Sequence, residues 1–168
     1  DKSLYFGRRV LDLGFGDGRN MPLLSNLGME VHGLEITDEI CSRGVQRLAA
    51  LGHKVEAKVG RNHQIPYADQ FFDHVLACHA CYYVDPGTTF AHNLAEIARV
   101  IKPGGRFIFS APISTSYIMA GAVDLGDGHM QIVNDPYGVR NGAVMKKFDT
   151  SAEIEAALAP QFRTARIG

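Results

Sequence analysis

The sequence predicts an α/β fold with a doubly wound, mostly parallel sheet. Three observations predict it. Val10, Leu11 and Leu13 make a short apolar run suited to a buried parallel strand. That run empties into Gly14-Phe15-Gly16-Asp17-Gly18, where three glycines without Cβ let the backbone turn sharply and approach a ligand. Apolar strand-length runs then alternate with amphipathic helix-length stretches, the signature of βα units.

The elements follow in order. After the strand Val10 to Leu13 and the glycine loop, a helix is expected from about Asn20 to Leu27, with Pro22 tolerated in its first turn and Gly28 as its stop. Strand two is Glu30 to Leu34 and ends at Glu35, about 20 residues past the glycines, where a carboxylate can accept from both hydroxyls of a ribose. Thr37 caps a second helix, with Asp38 and Glu39 in its favourable first turn, Ile40, Val45, Leu48 and Leu51 turned inward, and Gly52 at its end. Strand three is Lys54 to Val59. Phe71-Phe72 leads into a central strand four ending at Cys78, with His79, Cys81, Tyr82 and Tyr83 just beyond. Ligands of open α/β sheets sit at strand C-termini, so these residues border the expected site. Thr88 or Thr89 caps a helix whose Phe90, Leu94, Ile97, Ala98 and Ile101 share one face. Lys102-Pro103-Gly104-Gly105 stops it and turns into strand five, Arg106 to Ser110. Residues 111–148 are polar and glycine-rich, with short strands expected at His129 to Val133 and Ala143 to Phe148. Thr150 and Glu153 form a capping box for a helix that stops at Pro160, and Phe162 to Ile167 reads as strand six.

Composition bounds the function. The 168 residues suit a single domain, 1–168, with 111–148 as a lid-like insertion. Apolar content of 46% and charged content of 21% describe an ordinary globular chain. A net charge of −1 gives no reason to expect nucleic acid or an anionic membrane as partner. No apolar run approaches the ~20 residues of a membrane span, and no signal peptide opens the chain. Three cysteines make no disulfide framework, so a cytoplasmic location is expected. The Cys78-x-x-Cys81 spacing lacks a second pair for zinc, so no metal is expected and packing is the anticipated role. The chain opens on Asp1 rather than Met and reads as a trimmed piece.

The glycine loop narrows the ligand. A P-loop requires a Gly-Lys pair, which the chain lacks, and the dinucleotide fingerprint requires a glycine where Arg19 stands. What remains is an acidic residue, a spacer and G-x-G-x-G: Asp12, Gly14, Gly16, Gly18. This resembles motif I of the class I S-adenosylmethionine (SAM)-dependent methyltransferases, which have a Rossmann-like fold. The resemblance continues, in order, through Glu35, the Gly60 to Tyr67 segment, Phe72-Asp73-His74-Val75 and the Lys102 to Gly105 turn. It covers about residues 10 to 112.

The resemblance implies SAM as cofactor, leaving S-adenosylhomocysteine, and transfer of its methyl by in-line displacement; the near-neutral charge favours a small-molecule acceptor over nucleic acid. It implies a cofactor site of Asp12, Gly14, Phe15, Gly16, Gly18, Asn20, Glu35, Ile36, Arg61, Asn62 and Cys78. The loop amides at Gly14 to Gly16 would meet the methionine part, and Asp12 would help hold its ammonium. Glu35 would hold the ribose, Ile36 would pack on adenine, and the Cys78 carbonyl would approach the ammonium. The family usually places an Asp where Arg61 stands. Arginine has no acceptor for the adenine amino group, so Asn62 is the better candidate there and Arg61 is left to stack. On the acceptor side, His79, Tyr83 and His129 are the catalytic candidates, the histidines having a pKa range suited to a base. The last strand of the family has no counterpart before residue 168. Either the protein continues past that residue, or a lid strand or a neighbouring copy fills the place, and a bare sheet edge could pair two copies into a homodimer. Two alternatives stay open: a non-catalytic module of the same fold and, disfavoured by Arg19, an NAD(P)-dependent oxidoreductase.

Overall fold

Val10, Leu11 and Leu13 belong to the middle strand of a five-stranded parallel sheet. The computed structural model describes residues 2–163 and 166. In chain order the elements are β1 (Arg9–Leu13), α1 (Met21–Asn26), β2 (Glu30–Glu35), α2 (Asp38–Ala50), β3 (Glu56–Val59), β4 (Phe72–Cys78), β5 (Tyr83–Val84), α3 (Phe90–Val100), β6 (Ile101–Ser110), β7 (Val123–Gly126), β8 (His129–Gln131), β9 (Val144–Lys146) and α4 (Ser151–Leu158). The central sheet has the order β3-β2-β1-β4-β6, and each of its pairings is parallel. The mixed α/β fold with a parallel sheet is therefore the observed one.

Side-chain alternation explains why both faces are covered. Val10 packs with Phe15, Met21, Val31, Cys41 and Leu48, the core beneath α1 and α2. Leu11 and Leu13 point the other way and join Val75, Ala77, Leu94 and Ile97 beneath α3. Helix starts follow the expected chemistry. Thr37 Oγ1 accepts from the Ile40 amide, and Thr89 exchanges hydrogen bonds with His92 in a capping box. Thr150 Oγ1 accepts from the Glu153 amide, while the Glu153 carboxylate accepts from the Asp149 amide rather than from Thr150.

Several local expectations are corrected. Leu51 is exposed; the buried face of α2 is Cys41, Gly44 and Leu48. Strand three begins at Glu56, not Lys54. Lys102 to Gly105 does not separate helix from strand. It bulges out of β6, between Ile101, which pairs with Phe72, and Arg106, which pairs with His74. Gly104 takes φ +78° in that bulge, a conformation open to glycine. The 111–148 region contributes β7, β8 and β9, which with β5 make a second, antiparallel sheet of order β5-β9-β8-β7. It also buries Met119, Ile132, Met145 and Phe148 in the main core. Phe162 and Arg163 are not in a strand, and the rest of the strand expected to Ile167 lies outside the described residues apart from Arg166. No strand pairs with the outer side of β6 among the described residues, and Ile108 on it is 58% exposed.

Candidate functional site

The glycine loop leaves β1 at its C-terminal end. Gly14, Gly16 and Gly18 have φ of 67°, 59° and 78°, so each needs the conformational freedom that side chains remove. Their surroundings differ. A Cβ on Gly14 would lie 2.5 Å from Ala80 Cβ, and one on Gly18 would lie 2.7 Å from Leu48 Cδ1. A Cβ on Gly16 would meet nothing within 4 Å, so the loop is open above that residue. The Phe15 side chain turns inward and is buried in a slot between Gly33 and Gly44. Arg47 of α2 pins the loop from outside, donating to the Asp17 carbonyl at 2.6 Å and pairing with its carboxylate at 2.8 Å.

Two carboxylates flank this loop. Asp12 is 1% exposed, and neither of its oxygens has a hydrogen-bond partner among the described residues. Burial raises its pKa to about 7, and the nearby Arg19 charge and Asn20 amide offset this only in part. Glu35 is also buried. Its Oε1 accepts from the Gly16 amide at 2.7 Å and its Oε2 from the Ile36 amide at 3.0 Å. The Gly14 amide is used as well, donating to Leu34 O at 2.9 Å. The amides of Gly14 and Gly16, expected to face a ligand, are thus engaged within the protein. Ile36 is exposed directly beyond Glu35.

Asn62 and Arg61, expected beside the adenine edge and ring, also have partners within the protein. The Asn62 amide donates to Ala80 O at 2.9 Å and to Tyr83 O at 3.2 Å. The Asn93 amide of α3, wholly buried, donates to Cys81 O and again to Tyr83 O. Two asparagines therefore clamp the turn after β4. Arg61 pairs with Asp85 at 3.3 Å, and His63 Nδ1 lies 3.1 Å from the other oxygen of the same carboxylate.

Cys78 ends β4 opposite Ser110, half-buried, its thiol pKa raised by burial and by the nearby Asp12. Cys81 is buried and its thiol is pushed above its ordinary range, so the pair is poorly suited to forming thiolates. Among the described residues no cluster of three or more His, Cys, Asp or Glu could hold a metal. His79 is exposed and takes φ +55°, unusual outside glycine, with its amide donating to Ser110 Oγ. Tyr82 is buried and stacks on Tyr83 at 4.9 Å. Arg140, held by Asp135 at 3.3 Å, lies beside the Tyr83 side chain.

His129 is not brought to this group. Tyr83 pairs with Met145, which pairs with Met130, so these three share one face of the second sheet. His129 neighbours Met130 along β8 and points to the opposite face. Asn93, Gly44 and Arg47 were not anticipated. Asn93 left one signal, a polar residue inside the apolar stripe of its helix.

A family sequence model described as "Methyltransferase domain" matches residues 11–109. An uncharacterized methyltransferase of Mycobacterium tuberculosis is 40% identical over 99 residues, which cover 59% of this chain and 37% of that protein. A demethylmenaquinone methyltransferase of Bacillus cytotoxicus is 34% identical over 106 residues, 61% of this chain and 44% of that protein. The chain thus spans less than half the length of these curated relatives. The crystal structure of the PH0226 protein from Pyrococcus horikoshii superimposes with a TM-score of 0.69 at 21% identity, covering 95% of this chain and 74% of that one.

Proposed function

The chain belongs to the class I SAM-dependent methyltransferase family, and from that membership we propose that it methylates a small-molecule acceptor with SAM as donor. One observation carries the reading: the buried Asp12 carboxylate has no partner among the described residues and lies below a glycine loop that is open above Gly16. An unpartnered buried carboxylate is costly, and a cationic ligand group beside it relieves that cost. The ammonium of SAM suits it. When bound, the cofactor supplies a methyl group already activated on a sulfonium.

In this proposal Asp12 accepts from the ammonium and Glu35 from the ribose hydroxyls. Each Glu35 oxygen has a second acceptor position beyond the amide it already receives. Ile36 gives adenine an apolar face. Asn62 holds the turn at 80–83 with its amide nitrogen, which leaves its Oδ1 as the acceptor offered to the adenine amino group. Cys78 and Gly14 to Gly18 remain the floor. The protein's work at the reacting centre is chiefly alignment, because a positioned donor and acceptor need little further help. His79, exposed at the end of β4, is the residue placed to take a proton when the acceptor has one to lose. Tyr83, with Arg140 beside it, faces the same region, and His129 falls outside it.

The region 111–148 acts as the acceptor-side cover in this reading, because it brings Arg140 to Tyr83 and exposes Tyr137 and Val139 just before Arg140 in the chain. A homodimer through the bare β6 edge and a cytoplasmic location belong to the same proposal. No helix among the described residues is long and apolar enough to cross a membrane. Calorimetric titration with SAM, S-adenosylhomocysteine and NAD tests the assignment. Micromolar SAM binding that is lost in Glu35→Ala is expected. NAD binding without SAM binding would overturn it.

A further inference from the structure

At the opposite end of the same strands lies a second cavity. It encloses 340 Å³, toward the lower end of the roughly 300–1,000 Å³ typical of small-molecule sites. Its wall is formed where β1, β4 and β6 begin. Arg8, Lys102 and Arg106 line it together with Asp73, His74 and Tyr5. Because the strands are parallel, it lies one strand length, roughly 15 Å, from the glycine loop.

The charges here are unbalanced. Three cations face one carboxylate. Asp73 is already engaged by two of these cations: Oδ1 pairs with Arg8 at 3.2 Å, while Oδ2 accepts from Lys102 at 3.0 Å and from the Arg9 amide at 2.9 Å. Arg106 has no ion-pair partner among the described residues, although its strand neighbour across the ladder is His74. A guanidinium left free beside two further cations is matched by an oxyanion that can take two of its N–H groups at once. The bulge at 102–105 holds this arrangement in place. Gly105 sits so close to Ile101 and to the Asp73 carbonyl that a Cβ would come within 2.5 Å and 2.7 Å of them. Lys102 and Arg106 are thereby fixed at the two ends of one short loop.

We propose that this cavity is a binding site for a small phosphate monoester, separate from the cofactor cradle, with Arg106 as its principal ligand. The volume exceeds what a bare phosphate needs, and the Tyr5 ring offers an organic substituent a wall. The state of His74 fits the same picture. Burial lowers its pKa first, and Arg106, Arg8 and Lys102 lower it further against the opposing pull of Asp73. A bound dianion would reverse the effect of those cations and raise it.

NMR titration of the protein with inorganic phosphate and with ethyl phosphate, at constant ionic strength set with chloride, tests the site. The expected result is saturable shifts confined to the His74 ring and the 104–106 amides, with ethyl phosphate binding at least as well as phosphate. Arg106→Ala and Arg106→Gln should each weaken binding about tenfold or more and leave SAM affinity unchanged. Absence of saturation, the same shifts with chloride alone, binding of phosphate but not ethyl phosphate, or undiminished binding in both variants would each overturn the proposal.

Discussion

Asp12 is the residue at which folding and ligand binding oppose each other. Its carboxyl titrates near 7 in the folded chain and at 3.8 when exposed, so between those values the folded state holds the extra proton. Stability therefore falls as pH rises from about 4 through 7, and levels off above. Asp12→Asn removes this dependence. Thermal melts should show the variant more stable than the parent at pH 8, by about 2 kcal/mol or more, and no more stable near pH 4. Binding of a cationic group would pull the Asp12 pKa down, so SAM affinity should increase toward pH 7 and lose that slope in Asp12→Asn. Asp12 and the three glycines were legible in the sequence as the end of β1 and its loop, because that placement follows from chain order alone. Arg61 and Asn62 were not, since their partners, Asp85 and the 80–83 turn, lie on a later segment.

At the scale of elements, the turn after β4 depends on donors from two directions. Asn62 reaches it from the segment after β3 and Asn93 from α3, and both donate to Tyr83 O. Asn93→Leu keeps the helix face apolar but leaves Cys81 O without its side-chain donor. Denaturant unfolding should show a loss of about 1–3 kcal/mol, with the Tyr82–Tyr83 stack disturbed in near-ultraviolet circular dichroism. The parallel core was legible because Val10 to Leu13 and Phe72 to Cys78 are mainly apolar, strand-length runs. The second sheet was only partly so. β7 is exposed along its whole length and β5 is two residues long, so neither carries a hydrophobic pattern. The bulge at Lys102 to Gly105 read as a stop because its residues end helices; only the pairing of Ile101 with Phe72 shows the strand already begun.

Across the whole molecule, the central sheet ends in β3 on one side and in β6 on the other. The outward Ile108 and the unpaired backbone of β6 make that side a template for a second copy. Light scattering should show a concentration-dependent dimer that Ile108→Lys converts to monomer; a monomer at all concentrations in the parent would remove the homodimer from the proposal. The two ends of the strands are chemically unlike, with an unpartnered carboxylate at one and excess cations at the other. The Phe15 ring wedged between Gly33 and Gly44 has a kinetic consequence for the first of these ends. With its second residue anchored in the core and Arg47 holding its outer side, the loop is already set before a ligand arrives. Little ordering entropy is left to lose on association. Encounter should therefore be a single step, with an observed rate rising linearly with ligand concentration and no plateau from loop closure.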